Sequence, residues 1–141
     1  MGMLCYSPIQ QGLLTGRFAT VDEVPESRRR TRHFSSDSEL SRHGDAGNEA
    51  LTFATLDRIR TIAADLGESM ADLSLAWLLH QRGVSSVIFG ARTPEQVAAN
   101  MKAENLKLDT ATLTALDEAT SELKAALGSN ADLWNSETRI I

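Results

Sequence analysis

The chain has 141 residues, 42% of them hydrophobic and 23% charged, an ordinary globular composition of about one domain's length. Fourteen Lys and Arg against nineteen Asp and Glu give a net charge of −5, which argues against a general affinity for nucleic acid or an anionic membrane. The single cysteine excludes an intrachain disulfide, and no apolar run nears the roughly 20 residues of a membrane span. A reducing, cytoplasmic compartment is therefore expected. Met1-Gly2-Met3-Leu4-Cys5 lacks the positive start of a signal peptide.

The first element is short. Gly2 to Tyr6 is a small apolar run closed by Ser7-Pro8, the form of a buried parallel strand stopped by a residue without a ladder donor. Ile9-Gln10-Gln11-Gly12-Leu13-Leu14-Thr15-Gly16 follows, with glycines where backbone can approach another group closely. Residues 17–47 are polar and include Arg28-Arg29-Arg30-Thr31-Arg32. A connector of about thirty residues belongs to functional lids or to disorder, so this stretch is expected to be the least ordered. Its acidic neighbours Asp22, Glu23, Glu26, Asp37 and Glu39 favour a solvated loop over a nucleic-acid patch.

Helices come next. Leu51, Thr55, Ile59, Ile62 and Leu66 recur at three- and four-residue steps between Asn48 and Leu66, with Gly67 as terminator. A second helix begins at Ser69, with Asp72 three residues on, and runs to near Gly83. It is apolar around most of its circumference and so should be deeply buried, with Trp77 in the core. Ser86-Val87-Ile88-Phe89 reads as a second buried strand. After Gly90-Ala91-Arg92, the run Thr93-Pro94-Glu95-Gln96 places a capping threonine, a first-turn proline and a glutamine at the third helical position. That helix should run to about Ala103. A last one spans Thr110 to Leu127, with Leu113, Leu116, Leu123 and Leu127 on one face.

Alternation of strand and helix implies parallel pairing through a right-handed crossover. Two strands cannot make a stable sheet alone, and a complete (β/α)8 barrel takes about 250 residues. The fold class is therefore α/β, a piece of a larger fold with its N-terminal portion missing. Chemistry should sit after the strands. The segment Gly90-Ala91-Arg92 before a tightly capped helix offers N–H groups, a positive dipole end and a formal charge, an arrangement suited to phosphate. The plainer reading, a solvated Arg92 and a cap that is only a cap, is equally compatible with the residues. His33, His43 and His80 lack metal-ligand spacing and read as solvated or locally bonded. Cys5 reads as a small buried apolar residue.

Two long motifs carry a resemblance. Tyr6 through Phe18 resembles the strand-7 signature of aldo-keto reductases, and Ser85 through Asn100 resembles their strand-8 cofactor segment, in the branch akin to the potassium-channel β subunits. The resemblance covers nearly the whole chain. It implies the C-terminal part of a TIM barrel, with two parallel strands and about four helices, from an NADP-dependent oxidoreductase of carbonyls and alcohols. Carried over by position, Tyr6 would stack on the nicotinamide, and Ser7, Pro8 and Ile9 would line the pyrophosphate. Arg17 and Arg28 would clasp the cofactor, and Gly90, Arg92, Gln96 and Asn100 would hold the adenosine and its 2′-phosphate. Ala99 departs from the acidic or amide residue common before the final Asn. Trp134 lies in a tail that resembles the family's C-terminal segment.

The family's Asp, Tyr, Lys and His tetrad comes from the first half of the barrel. Tyr6 is the only tyrosine here, so no spare one is present as proton donor. The residues leave three readings open: the cofactor-binding part of an NADP oxidoreductase, a non-catalytic nucleotide-binding remnant, and an inert helical fragment. A missing N-terminal half or self-association is the expected protein partner.

Overall fold

The computed structural model describes residues 1–41 and 43–129; Trp134 and its tail lie outside them. The elements are β1 (Met3–Tyr6), α1 (Glu49–Leu66), α2 (Met70–His80), β2 (Val84–Ile88), α3 (Pro94–Met101) and α4 (Thr110–Leu127). Short 3₁₀ turns occupy Gln10–Thr15, Val21–Glu23, Glu26–Arg28 and Lys102–Glu104. β1 and β2 pair in parallel, with Leu4 opposite Ser86, Cys5 opposite Val87 and Tyr6 opposite Ile88. β2 begins at Val84, two residues before the expected start.

The helix termini follow local chemistry. Ser69 Oγ accepts from Asp72 N at 3.0 Å, and Thr93 Oγ1 accepts from Gln96 N at 3.3 Å. Gln96 Oε1 reaches back to the N–H of Arg92 at 2.8 Å, one residue earlier than in a standard capping box. Asp109 caps α4 through Thr112 N at 2.7 Å. α1 has no side-chain cap, because Asn48 Nδ2 is turned to the carbonyl of Arg32 at 3.2 Å.

One core runs through the helices and the long connector. Leu73 and Ala76 of α2 are fully buried and join Leu56, Ile59 and Ala63 of α1 and Leu116 of α4. α1 and α4 are also tied at the surface by Arg58 and Glu122 at 3.3 Å. α1 is rotated from its expected stripe: Thr52, Thr55, Leu56, Ile59 and Ala63 are buried, whereas Leu66 is exposed. The wider arc accommodates both α2 and α4. Trp77 is half-buried against the core rather than enclosed by it.

Two further expectations are corrected. The strands are not buried. Leu4 is 63% and Tyr6 71% exposed, and Ile88 is exposed beside them. Successive strand residues point to opposite faces, and helices cover the face carrying Cys5 and Val87, which are half-buried. Residues 17–47 are not a bare polar loop. Val24 and Phe34 are 2% and 1% exposed, and Phe18, Thr31, His33 and His43 are buried with them. Gly47 makes this packing possible: at φ +82° its backbone lies so close to Phe34 that a Cβ would come within 2.3 Å of the Phe34 carbonyl carbon.

Candidate functional site

Parallel pairing sends both strands out of the sheet at one edge. Because Tyr6 lies opposite Ile88, the turn after β1 and the segment Phe89–Arg92 leave side by side. The first is conformationally unusual. Ser7, Gln10 and Gln11 have φ of 52°, 44° and 55°, and Gly12 has 98°. Three non-glycine residues in left-handed space within five positions cost energy, and such outliers gather at binding sites. Turns that mix left- and right-handed residues form concavities lined by N–H groups, which suit anions. Ser7 is exposed, Pro8 buried and Ile9 half-buried.

Arg17 and Arg28 meet at Phe18. Their guanidinium carbons lie 5.4 and 5.9 Å from the Phe18 ring centre, and Arg28 Nη1 donates to the Gln11 carbonyl at 3.3 Å. The other arginines of the run are mostly spent internally. Arg29 donates to the carbonyls of Val24 and Asp22, and Arg32 Nε bonds Asp45 Oδ2 at 2.6 Å.

On the second segment Gly90, Arg92 and Gln96 are exposed and Asn100 is half-buried. Nothing lies within 4 Å of a Cβ built on Gly90, so backbone there is open to a ligand. Among the described residues Arg92 is in no ion pair. The Glu95 carboxyl is held below the usual range, first by its own N–H and then by the Thr93 hydroxyl. It is thus a fixed negative charge on the first turn of α3.

A cavity of about 530 Å³ lies elsewhere, along β1 and its turn. Its walls include Leu4, Tyr6, Ser7 and Pro8, with Thr55 of α1, Trp77 of α2 and Leu123 of α4. Arg92 does not line this cavity, whose walls come from β1 and its turn, the connector, α1, α2 and α4. Thus Tyr6, Ser7 and Pro8 share a cavity, Arg17 and Arg28 share a ring, and Gly90, Arg92 and Gln96 share the exposed start of α3.

His33 and His43 are bonded locally, whereas His80 also accepts from the Leu108 N–H at 3.4 Å, across to the segment before α4. His33 Nδ1 is 3.0 Å from Thr31 Oγ1, His43 Nδ1 accepts from Asp45 N at 3.3 Å, and His80 lies against the Ala76 carbonyl at 2.8 Å. Burial, and secondarily the charge of Arg32, push His33 down to about 4. Among the described residues no group of three His, Cys, Asp or Glu could hold a metal, and no helix is long and apolar enough to cross a membrane. Phe18 was missed in the sequence; its adjacency to Arg17 was the one available hint.

Comparison with known proteins agrees with these motifs. The model of the aldo/keto reductase family matches residues 1–121. L-glyceraldehyde 3-phosphate reductase of Escherichia coli O157:H7 is 34% identical over 126 residues, covering 84% of this chain and 33% of that protein. A probable voltage-gated potassium channel subunit beta of Oryza sativa subsp. japonica is 34% identical over 106 residues, or 73% of this chain and 30% of that protein. The NADH-specific methylglyoxal reductase of Escherichia coli K12 is 32% identical over 119 residues, or 84% and 33%. The chain spans about a third of the length of these curated relatives. With both strand-end motifs inside the matched span, the chain belongs to the aldo/keto reductase family.

Proposed function

We propose that the chain binds NADP across the edge where β1 and β2 end. It would form the cofactor-binding part of an oxidoreductase that interconverts carbonyls and alcohols. The observation that carries this reading is the pairing of Tyr6 with Ile88, which sets the left-handed turn at Ser7 beside Gly90–Arg92. Family membership supports it, as do the reductase names of two relatives.

The residues fit the cofactor. The exposed Tyr6 ring offers a face for the nicotinamide, and Ser7, Pro8 and Ile9 offer a turn for the pyrophosphate. Arg17 and Arg28 supply charge from the connector. The open backbone at Gly90 permits close approach, and the unpaired Arg92 suits a 2′-phosphate, for which a guanidinium's donor fork is well shaped. Asn100 and the free amide N–H groups of Gln96 are the donors for the adenosine, since Gln96 Oε1 already accepts from Arg92. When bound, NADP supplies the hydride. A proton donor must stand within about 3 Å of the carbonyl oxygen, and Tyr6, the only tyrosine, is assigned to the nicotinamide. On this reading the family's proton-donor tyrosine, with its Asp, Lys and His, would come from another segment, in the same protein or a separate one. The exposed Leu4, Tyr6 and Ile88 offer a face for that segment or for a second copy. The single cysteine fits a reducing, cytoplasmic setting.

The test is titration of the 141-residue chain with NADPH by cofactor fluorescence, followed by NADPH absorbance with simple aldehydes and ketones. Saturable binding without turnover is expected, with turnover restored by a family N-terminal half. Absence of binding refutes the reading, and steady turnover by the isolated chain refutes the assignment of Tyr6.

A further inference from the structure

Phe18 is an unusual core residue. Its side chain is buried, at 6% exposure, and its carbonyl accepts from Arg60 Nη2 of α1 at 3.1 Å. Both Arg17 and Arg28 hold their guanidinium carbons within 6 Å of its ring centre. Two cations gathered on one ring repel each other. Four arginines are matched to acids, Arg29 with Glu26, Arg32 with Asp45, Arg58 with Glu122 and Arg60 with Asp57. Among the described residues neither Arg17 nor Arg28 has such a partner.

The approach of Arg28 also depends on a glycine. Gly12 sits at φ +98°, and a Cβ there would come within 2.7 Å of Arg28 Nη1. The same nitrogen bonds the Gln11 carbonyl, which fixes Arg28 against the left-handed turn. A guanidinium resting on an aromatic ring loses motion but keeps donors for an anion's oxygens.

We propose that Phe18 is a positioning residue that holds Arg17 and Arg28 as a preset two-cation clamp for a diphosphate group. The assignment to the pyrophosphate of a dinucleotide rests on the proposed function, whereas binding of inorganic pyrophosphate does not. Ordering the two arginines before the ligand arrives removes part of the entropic cost of binding.

The experiment is calorimetric titration of the full chain with inorganic pyrophosphate and, separately, with NADPH. Wild type is compared with Phe18→Leu, Phe18→Tyr and the core control Val24→Ala. Losing two cation–ring contacts should weaken both ligands about five- to thirtyfold in Phe18→Leu. Phe18→Tyr keeps the ring and should bind as wild type does. Val24→Ala, which opens a cavity in the same core and leaves the Phe18 ring in place, should also bind normally. Wild-type affinity for pyrophosphate in Phe18→Leu overturns the clamp, as does equal weakening in Val24→Ala or failure of Phe18→Tyr to bind. Pyrophosphate binding without NADPH binding supports the clamp and refutes the nucleotide reading. NADPH binding without pyrophosphate binding does the reverse.

Discussion

The buried His33 makes a pH-dependent claim about stability. Its side chain lies among the buried residues of the connector, and burial followed by Arg32 lowers it from 6.5 to about 4. The neutral ring is therefore favoured in the folded chain, while the unfolded chain takes up the proton near pH 6.5. Because the folded value is depressed, the stability tied to the neutral ring is fully present above pH 6.5. It is lost progressively as pH falls from 6.5 towards 4, and little more is lost below that. Linkage between these two values gives a loss of about 2 kcal/mol by pH 5 and about 3 kcal/mol by pH 4. That is a large part of the roughly 5–15 kcal/mol that holds a typical domain together. The assay is urea unfolding followed by circular dichroism at pH 7.5, 6.5 and 5, on wild type and His33→Asn. Asparagine keeps a polar contact for Thr31 and does not titrate. Wild type should lose about 2 kcal/mol more than the variant between pH 7.5 and 5. Stopping at pH 5 keeps most carboxylates out of the comparison. Parallel pH profiles for the two proteins would show that His33 is already solvated or already charged in the folded chain, and would refute the reasoning.

Arg92→Ala should weaken NADPH more than NADH, by roughly 1.5–3 kcal/mol or about ten- to a hundredfold, in parallel fluorescence titrations; equal losses would remove Arg92 as the discriminating residue. Gly47→Ala forces a Cβ to within 2.3 Å of the Phe34 backbone at a positive φ and should destabilise by at least about 2 kcal/mol. Differential scanning calorimetry reads this as a lower Tm, and an unchanged Tm would mean the connector is not packed on α1 as described. Thr93→Ala removes the acceptor for Gln96 N and should cost about 1 kcal/mol, seen as faster amide exchange confined to α3.

The sequence by itself determined which elements form and where the helices begin. The threonine–proline–glutamine start of α3, the serine cap of α2 and the glycine after α1 act through bonds a few residues long, so they are readable from neighbours in the chain. The parallel pairing of β1 with β2 was equally legible, because the crossover between them leaves few alternatives. The two strand-end motifs named the family for the same reason, being contiguous runs. Tertiary structure decided what depends on contacts distant in sequence. α1 buries Thr52 and Leu56 rather than Leu66 because two helices, not one, lean on it. The connector is packed because Val24 and Phe34, isolated apolar residues in a polar stretch, reach the helical core, and Gly47 lets backbone pass beneath Phe34. The strands are exposed because a two-stranded sheet has helices on one face only. The arginines at 17 and 28 become a pair solely through the ring of Phe18, which no local pattern marks as anything but apolar.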